Sequence, residues 1–174
     1  QASVESFTAQ QRALAATIRR LMAELQGEIP WTGQQSDPDA ALQDTLFRER
    51  LTQYAARLGT TDETIQRGEA NFRTAAQDAA AFGNQLLVAR ELEGIRGKLF
   101  TAQIGSKLLF LEAQGARLRA EREYQAAQSR LAELRHEIDA RRAERRAFIG
   151  TWRTDLMQEI ARHRAELTKV EDAL

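Results

Sequence analysis

Cysteine is absent from this chain of 174 residues, so disulfides, thiolate chemistry and Cys-based metal sites are excluded, while oxidising and reducing compartments both stay open. Proline occurs only at Pro30 and Pro38, which leaves most of the chain without a helix breaker. Aromatic residues make up 6% of the chain, too few for an ordinary compact core. No run approaches the ~20 consecutive apolar residues of a membrane span, and the start, QASVESFTAQ, lacks the basic and apolar regions of a signal peptide. Lysine is confined to Lys98, Lys107 and Lys169, and the 25 basic side chains are matched by 25 acidic ones. A balanced, interspersed charge offers no basic face to displace counterions from a phosphate backbone, which argues against a nucleic-acid partner.

Enzyme chemistry is equally hard to place. His136 and His163 are far apart, with no ligand spacing around them that suits zinc. Glu91 and Glu93, like Glu121 and Glu123, are two residues apart and point to different helix faces, poor geometry for a paired acid and base. The glycines never precede Lys and Ser or Thr in a phosphate-cradling arrangement. The expectation is a protein that is not an enzyme and carries no cofactor or metal.

What is present is helix. Ala, Gln, Glu, Arg and Leu dominate, all of them strong helix formers. Val4, Phe7, Leu14, Ile18, Leu21 and Leu25 form one apolar stripe, ended by Gly27, Pro30, Gly33 and Pro38, with Asp37 or Asp39 available to cap the next helix. A second stripe runs from Phe47 through Leu51, Tyr54, Leu58, Thr61, Ile65, Gly68, Phe72, Ala75, Ala79, Phe82 and Leu86 to Ala89 in heptad register, thin where Thr, Gly and Ala occupy it. A third begins at Leu108, Leu111 and Leu118 and continues through Tyr124, Leu131, Leu134, Ile138, Phe148, Trp152, Leu156, Ile160, Leu167, Val170 and Leu174. Its register breaks at the six-residue step from Leu118 to Tyr124 and at the four-residue steps from Phe148 to Leu156, where local winding is expected to change.

Two long segments joined by a short turn imply an antiparallel pair. The fold expected is therefore all-α: a long antiparallel coiled-coil hairpin with an additional, shorter N-terminal helix. Residues 1–27 are assigned to that helix, 28–38 to a linker and 39–174 to the hairpin, with helices over 39–93 and 107–174 and a tip over 94–106. A turn centred near residue 100 sets Phe82 near Leu118, Ile65 near Leu134 or Arg135, and Leu51 near Phe148 and Ile149. It also places Arg141 and Arg145 near the seam, opposite Leu58 and Tyr54. Helix one either doubles back or continues the line of helix two, and together with the flanks it must cover Leu167, Val170 and Leu174.

The tip, RGKLFTAQIGSKLL, is too apolar for a solvated loop. Leu99, Phe100 and Ile104 cannot all turn inward at so narrow an end, and beside Arg96, Lys98 and Lys107 they suit a partner interface. The plainer reading is a glycine-capped turn whose apolar residues close the hairpin.

The long helix, the stretch GIRGKLFTAQIGSKLLFLEAQGARL and the helix ending RAELTKVEDAL together resemble the hairpin domain of periplasmic adaptors, the hemolysin D type membrane fusion proteins. The resemblance spans nearly the whole chain. Its most specific part is the tip, where Arg96, Leu99, and Ser106 match a spaced Arg, Leu and Ser. Leu99 and Ser106 keep the interval found in related drug-efflux adaptors, whereas Arg96 lies three residues before Leu99 where those proteins place it four before. The resemblance implies a bridge between an inner-membrane ABC transporter and a TolC-like outer-membrane channel, with Arg96, Leu99, Phe100, Ile104 and Ser106 as the partner-binding tip. It further implies a periplasmic location, a membrane anchor outside these residues, and a homo-oligomeric ring, commonly of six copies. The competing expectation is a structural coiled-coil scaffold or tether whose tip is only a turn.

Overall fold

A computed structural model describes residues 2–27 and 38–173. It contains three helices in chain order: α1 (Ala2–Gln26), α2 (Pro38–Thr101) and α3 (Lys107–Asp172). Among the described residues there is no strand, as expected for an all-α chain. Gly27 ends α1 in the left-handed conformation, φ 69°, its amide donating to the Ala23 carbonyl. Pro38 opens α2 at the position where its missing N–H costs nothing, and Asp39 follows in the positively polarised first turn. Apart from Pro38, the linker assigned to 28–38 lies outside the described residues, as do Asp37 and Leu174.

The helices form two compact units, one of Gln1–Asp62 with Ala143–Leu174 and one of Glu63–Arg142. In the first unit all three helices meet. Leu21 of α1 and Leu156 and Ile160 of α3 make its buried centre, with Met22, Leu25 and Trp152 packed around them. The Gln11 amide donates to Glu171 on α3 and the Arg164 guanidinium meets Met22 Sδ, so α1 runs antiparallel to α3. Toward α2 the contacts advance together, Arg20 with Gln43 and Glu24 with Arg50, so α1 runs parallel to α2. Helix one therefore lies alongside both long helices, and Val170 is buried.

The four-residue steps from Phe148 onward have a cause in this unit. Phe148 and Trp152 pack on Tyr54 of α2, with ring centroids 5.6 and 5.0 Å away, while Leu156 and Ile160 pack on Leu21 of α1. A stripe advancing by four residues drifts around the helix, here from the α2 side to the α1 side.

The second unit is a two-stranded antiparallel hairpin. Its buried apolar side chains are Ala79, Leu86, Ala113, Leu134 and Ile138, a seam as thin as the sequence implies. Large residues of α3 sit over glycines of α2: Ile138 over Gly68, Tyr124 over Gly83 and Phe110 over Gly97, where an added Cβ would lie 3.1 to 3.2 Å from the facing side chain. Each of these glycines admits a ring or a branched chain that a larger residue would hold off.

Three expectations are corrected. Helix α2 continues through residue 101 instead of ending at 93, because Gly97 accommodates Phe110 and Gly94 sits in the helix without breaking it. The facing pairs, Gly83 with Tyr124 for one, have numbers summing to about 207 where 200 was expected, a slip of about one heptad. Accordingly Arg145 donates to Asp62 Oδ1 at 2.7 Å and does not sit opposite Leu58 or Tyr54. Finally, Leu118 is not a seam residue. It is 49% exposed, and the seam position belongs to Arg117, which restores an unbroken series through Phe110, Arg117, Tyr124, Leu131 and Ile138.

Candidate functional site

The turn between α2 and α3 is short, and its amides from Ala102 to Gly105 all donate to the last turn of α2. The Gln103 amide donates to the Phe100 carbonyl, and the Ile104 and Gly105 amides both reach the Leu99 carbonyl, each at 3.0 Å. This is a Schellman closure with Gln103 in the left-handed position, φ 60°. Gly105 is required by contact: a Cβ there would lie 2.9 Å from Leu99 Cβ and 3.1 Å from the Leu99 carbonyl carbon. Ser106 takes the N-cap position of α3, its carbonyl accepting from the Phe110 amide.

Within this frame the five residues singled out from the sequence take different places. Leu99 is half-buried against Gly105, and Phe100 stacks on Phe110 with centroids 5.8 Å apart and planes 7° from parallel. Ile104 is 79% exposed, the most exposed large apolar residue among those described. A Schellman turn ordinarily folds the residue at this position back onto the last helical turn; here the side chain faces water. Ser106 is exposed, and Arg96 is half-buried a turn before Phe100. Leu99, Phe100, Ile104 and Ser106 are thus gathered at the turn, with Arg96 just behind them.

Behind the tip, the Arg117 guanidinium ties the helices together, donating through Nε to Glu93 on α2 and through Nη1 to Glu121 on its own helix, both at 2.7 Å. The hydrogen bonds to Glu93 and then Glu121 push the Arg117 pKa above its ordinary value, so the cross-link stays charged. Sequence reasoning missed Phe110, which supports Phe100 from the other helix. It also assigned Leu108, Leu111 and Leu118 to the seam, whereas all three are exposed.

Among the described residues no group of three or more His, Cys, Asp or Glu could hold a metal ion, and no helix is long and apolar enough to cross a membrane. The arrangement offers contact surface: apolar side chains presented on a turn closed by Schellman hydrogen bonds.

The class defined here is a helical hairpin with a capped apolar tip and a third helix packed beside the two long ones. Among solved structures, the soluble domain of LipC, a membrane fusion protein of a type I secretion system, superposes with a TM-score of 0.92 over 99% of this chain and 86% of that one, at 17% sequence identity. The chain has the fold of that membrane fusion protein domain. No protein-family model matches it, and no curated protein sequence does.

Proposed function

We propose that the chain is the hairpin domain of a periplasmic adaptor of a type I secretion system, bridging an inner-membrane ABC transporter and a TolC-like outer-membrane channel. The observation that carries this reading is the pairing of a shared fold with an apolar tip held open to solvent, Ile104 above all. In this reading Leu99, Phe100 and Ile104 supply apolar contact to the channel, and Arg96 and Ser106 supply hydrogen bonds. The protein works in the periplasm as a homo-oligomer, anchored to the inner membrane by segments outside these residues. Its role is to position and dock, and energy comes from the transporter.

The test is Ile104→Asp in the intact protein. Because Ile104 makes little contact within the chain, helicity by circular dichroism should be unchanged, while co-purification of the outer-membrane channel and secretion should both fall at least tenfold. Secretion at the level of the unaltered protein would remove the docking role and favour a scaffold whose tip is only a turn.

A further inference from the structure

Gly68, Gly83 and Gly97 each admit a large side chain from α3, but Gly59 on α2 and Gly150 on α3 have no such partner. A Cβ added at either would meet nothing within 4 Å. Both residues are exposed, at the kind of position this chain otherwise fills with Ala, Gln, Glu or Arg. Glycine disfavours helix there and gains no contact in return. By the register that sets Gly83 against Tyr124, Gly59 is level with Phe148 and Gly150 with Arg57, so the two glycines fall within one turn of each other on facing helices.

The seam is weakest at the same level. Phe47 and Ala79 are buried on α2, and Ile138 and Leu156 on α3, but no residue between either two is. Where these intervals overlap, over 52–68 and 139–155, neither helix has a buried residue along about 25 Å. The side chains that meet there are at most half-buried. Tyr54 packs on Phe148 and Trp152, and Arg57 lies over the Phe148 ring, 5.6 Å from its centroid. The Arg145–Asp62 pair has side chains 37% and 45% exposed, a setting in which ion pairs add little. The backbone carries a second weakness: the Thr60 and Thr61 hydroxyls donate to the Ala56 and Arg57 carbonyls, at 3.0 and 2.9 Å, a side-chain bond that often bends helices. The division into two compact units, after Asp62 on α2 and before Ala143 on α3, falls inside the same stretch.

We propose that Gly59 and Gly150 form a bending joint in the hairpin. Both helices give way at one level, so the pair bends without one helix resisting the other. From Gly59 to Thr101 α2 runs about 63 Å, and a bend of about 10° displaces its end by about 11 Å. Sideways play of that size lets the turn keep its own hydrogen bonds while it meets a surface it is not aligned with. Gly94, equally open, makes no second joint: Ala113 is buried at its level, and the neighbouring Glu93 is tied to Arg117. The joint is independent of what the turn contacts and goes beyond the docking role.

The chain has no native cysteine, so introduced ones can carry spin labels alone. Gln53→Cys and Asn71→Cys place labels on exposed positions of α2 on either side of the joint, about five turns apart on one face. Arg122→Cys and Ala140→Cys on α3 are a control pair of the same spacing away from it. Double electron–electron resonance on the intact protein, diluted with unlabelled copies and checked for helicity by circular dichroism, should give a distance distribution at least twice as broad for the first pair. Gly59→Ala with Gly150→Ala, which fit without contact, should narrow it to the control width, while Gly94→Ala should leave it broad. Hydrogen exchange should agree: amides 60–63 and 151–154 should exchange at least tenfold faster than those of 83–86 and 134–137, and slow in the double variant. Equal widths for the two pairs in the unaltered protein would overturn the joint, and so would a breadth that survives both alanines. Ile104→Asp should leave the widths unchanged whatever it does to secretion, so the joint and the docking role fail separately.

Discussion

Replacing Glu24 by Ala should detach α1 from the long helices at a cost of about 3 kcal/mol. The Glu24 carboxylate is 4% exposed and is shared by two guanidinia: Arg20 Nη1 on its own helix and Arg50 Nε on α2, the latter at 2.7 Å. Arg20 is itself buried, with Nε donating to Gln43 Oε1 at 2.6 Å. Losing the carboxylate strands a charge inside the first unit with one neutral acceptor in its place. Breaking a buried pair in this way costs roughly 3 to 5 kcal/mol. The low end applies because Arg50 is 30% exposed and can turn to water, and because it also lies over the Trp152 ring, 4.7 Å from the centroid. Trp152 packs against the Leu21, Leu156 and Ile160 cluster, so its fluorescence reports the loss directly. With Trp31→Phe as background, urea unfolding followed at Trp152 should show a lower midpoint with little change of slope. Replacing Arg20 and Glu24 together by Met, which removes both charges and keeps the volume, should recover most of the stability. A loss below about 1 kcal/mol in Glu24→Ala would show that the apolar cluster alone holds α1 and would refute the assignment.

The turn and the helical glycines give further tests by thermal or urea unfolding. Gly105→Ala should destabilise the hairpin by roughly 1 to 3 kcal/mol, because its Cβ would collide with Leu99 Cβ and the Leu99 carbonyl carbon. Gly94→Ala, with nothing within 4 Å of the added Cβ, should instead stabilise by up to about 1 kcal/mol through helix propensity. Gln103→Gly should stabilise by about 1 kcal/mol, since glycine occupies φ 60° without the Cβ penalty. An unchanged midpoint there would mean that the Schellman hydrogen bonds already offset the strain.

The fold was legible because an apolar stripe repeating at helical spacing, ended by glycine and proline, follows directly from the geometry of a helix that buries one side. The register was not, and the reason is the repeat itself. Sliding one helix by seven residues carries every seam position onto the next, so apolar still meets apolar and the match seen at a sum of 200 could not separate the two alignments. What separates them are features that occur once. In the slipped alignment Tyr124 would face Ala76, Phe110 would face Arg90 and Ile138 would face Asp62. In the observed one, each large residue has a glycine opposite it, Arg117 reaches Glu93, and Arg142 reaches Glu69 at 2.6 Å. Pairing the glycines with the bulky residues, in place of reading them as breakers, would have fixed both the register and the end of α2.

At the tip the same limit of periodicity acted in the other direction. Arg96, Leu99, Phe100, Ile104 and Ser106 stood out because glycines and apolar residues crowd one short stretch, yet composition does not say which of them the turn itself consumes. Leu99 is engaged by Gly105, Phe100 by Phe110, and the Ser106 carbonyl by the first turn of α3, while Ile104 is left facing outward. Leu108, Leu111 and Leu118 pass for seam residues because they too are spaced by three and seven; only the Arg117 ion pairs on the inner face show that the leucines lie outside it. A charged residue on the seam beside a leucine on the surface is the reverse of what burial alone would select. The inversion means that this stretch is tied together by the Arg117 ion pairs, and that its three outward leucines add little to the seam.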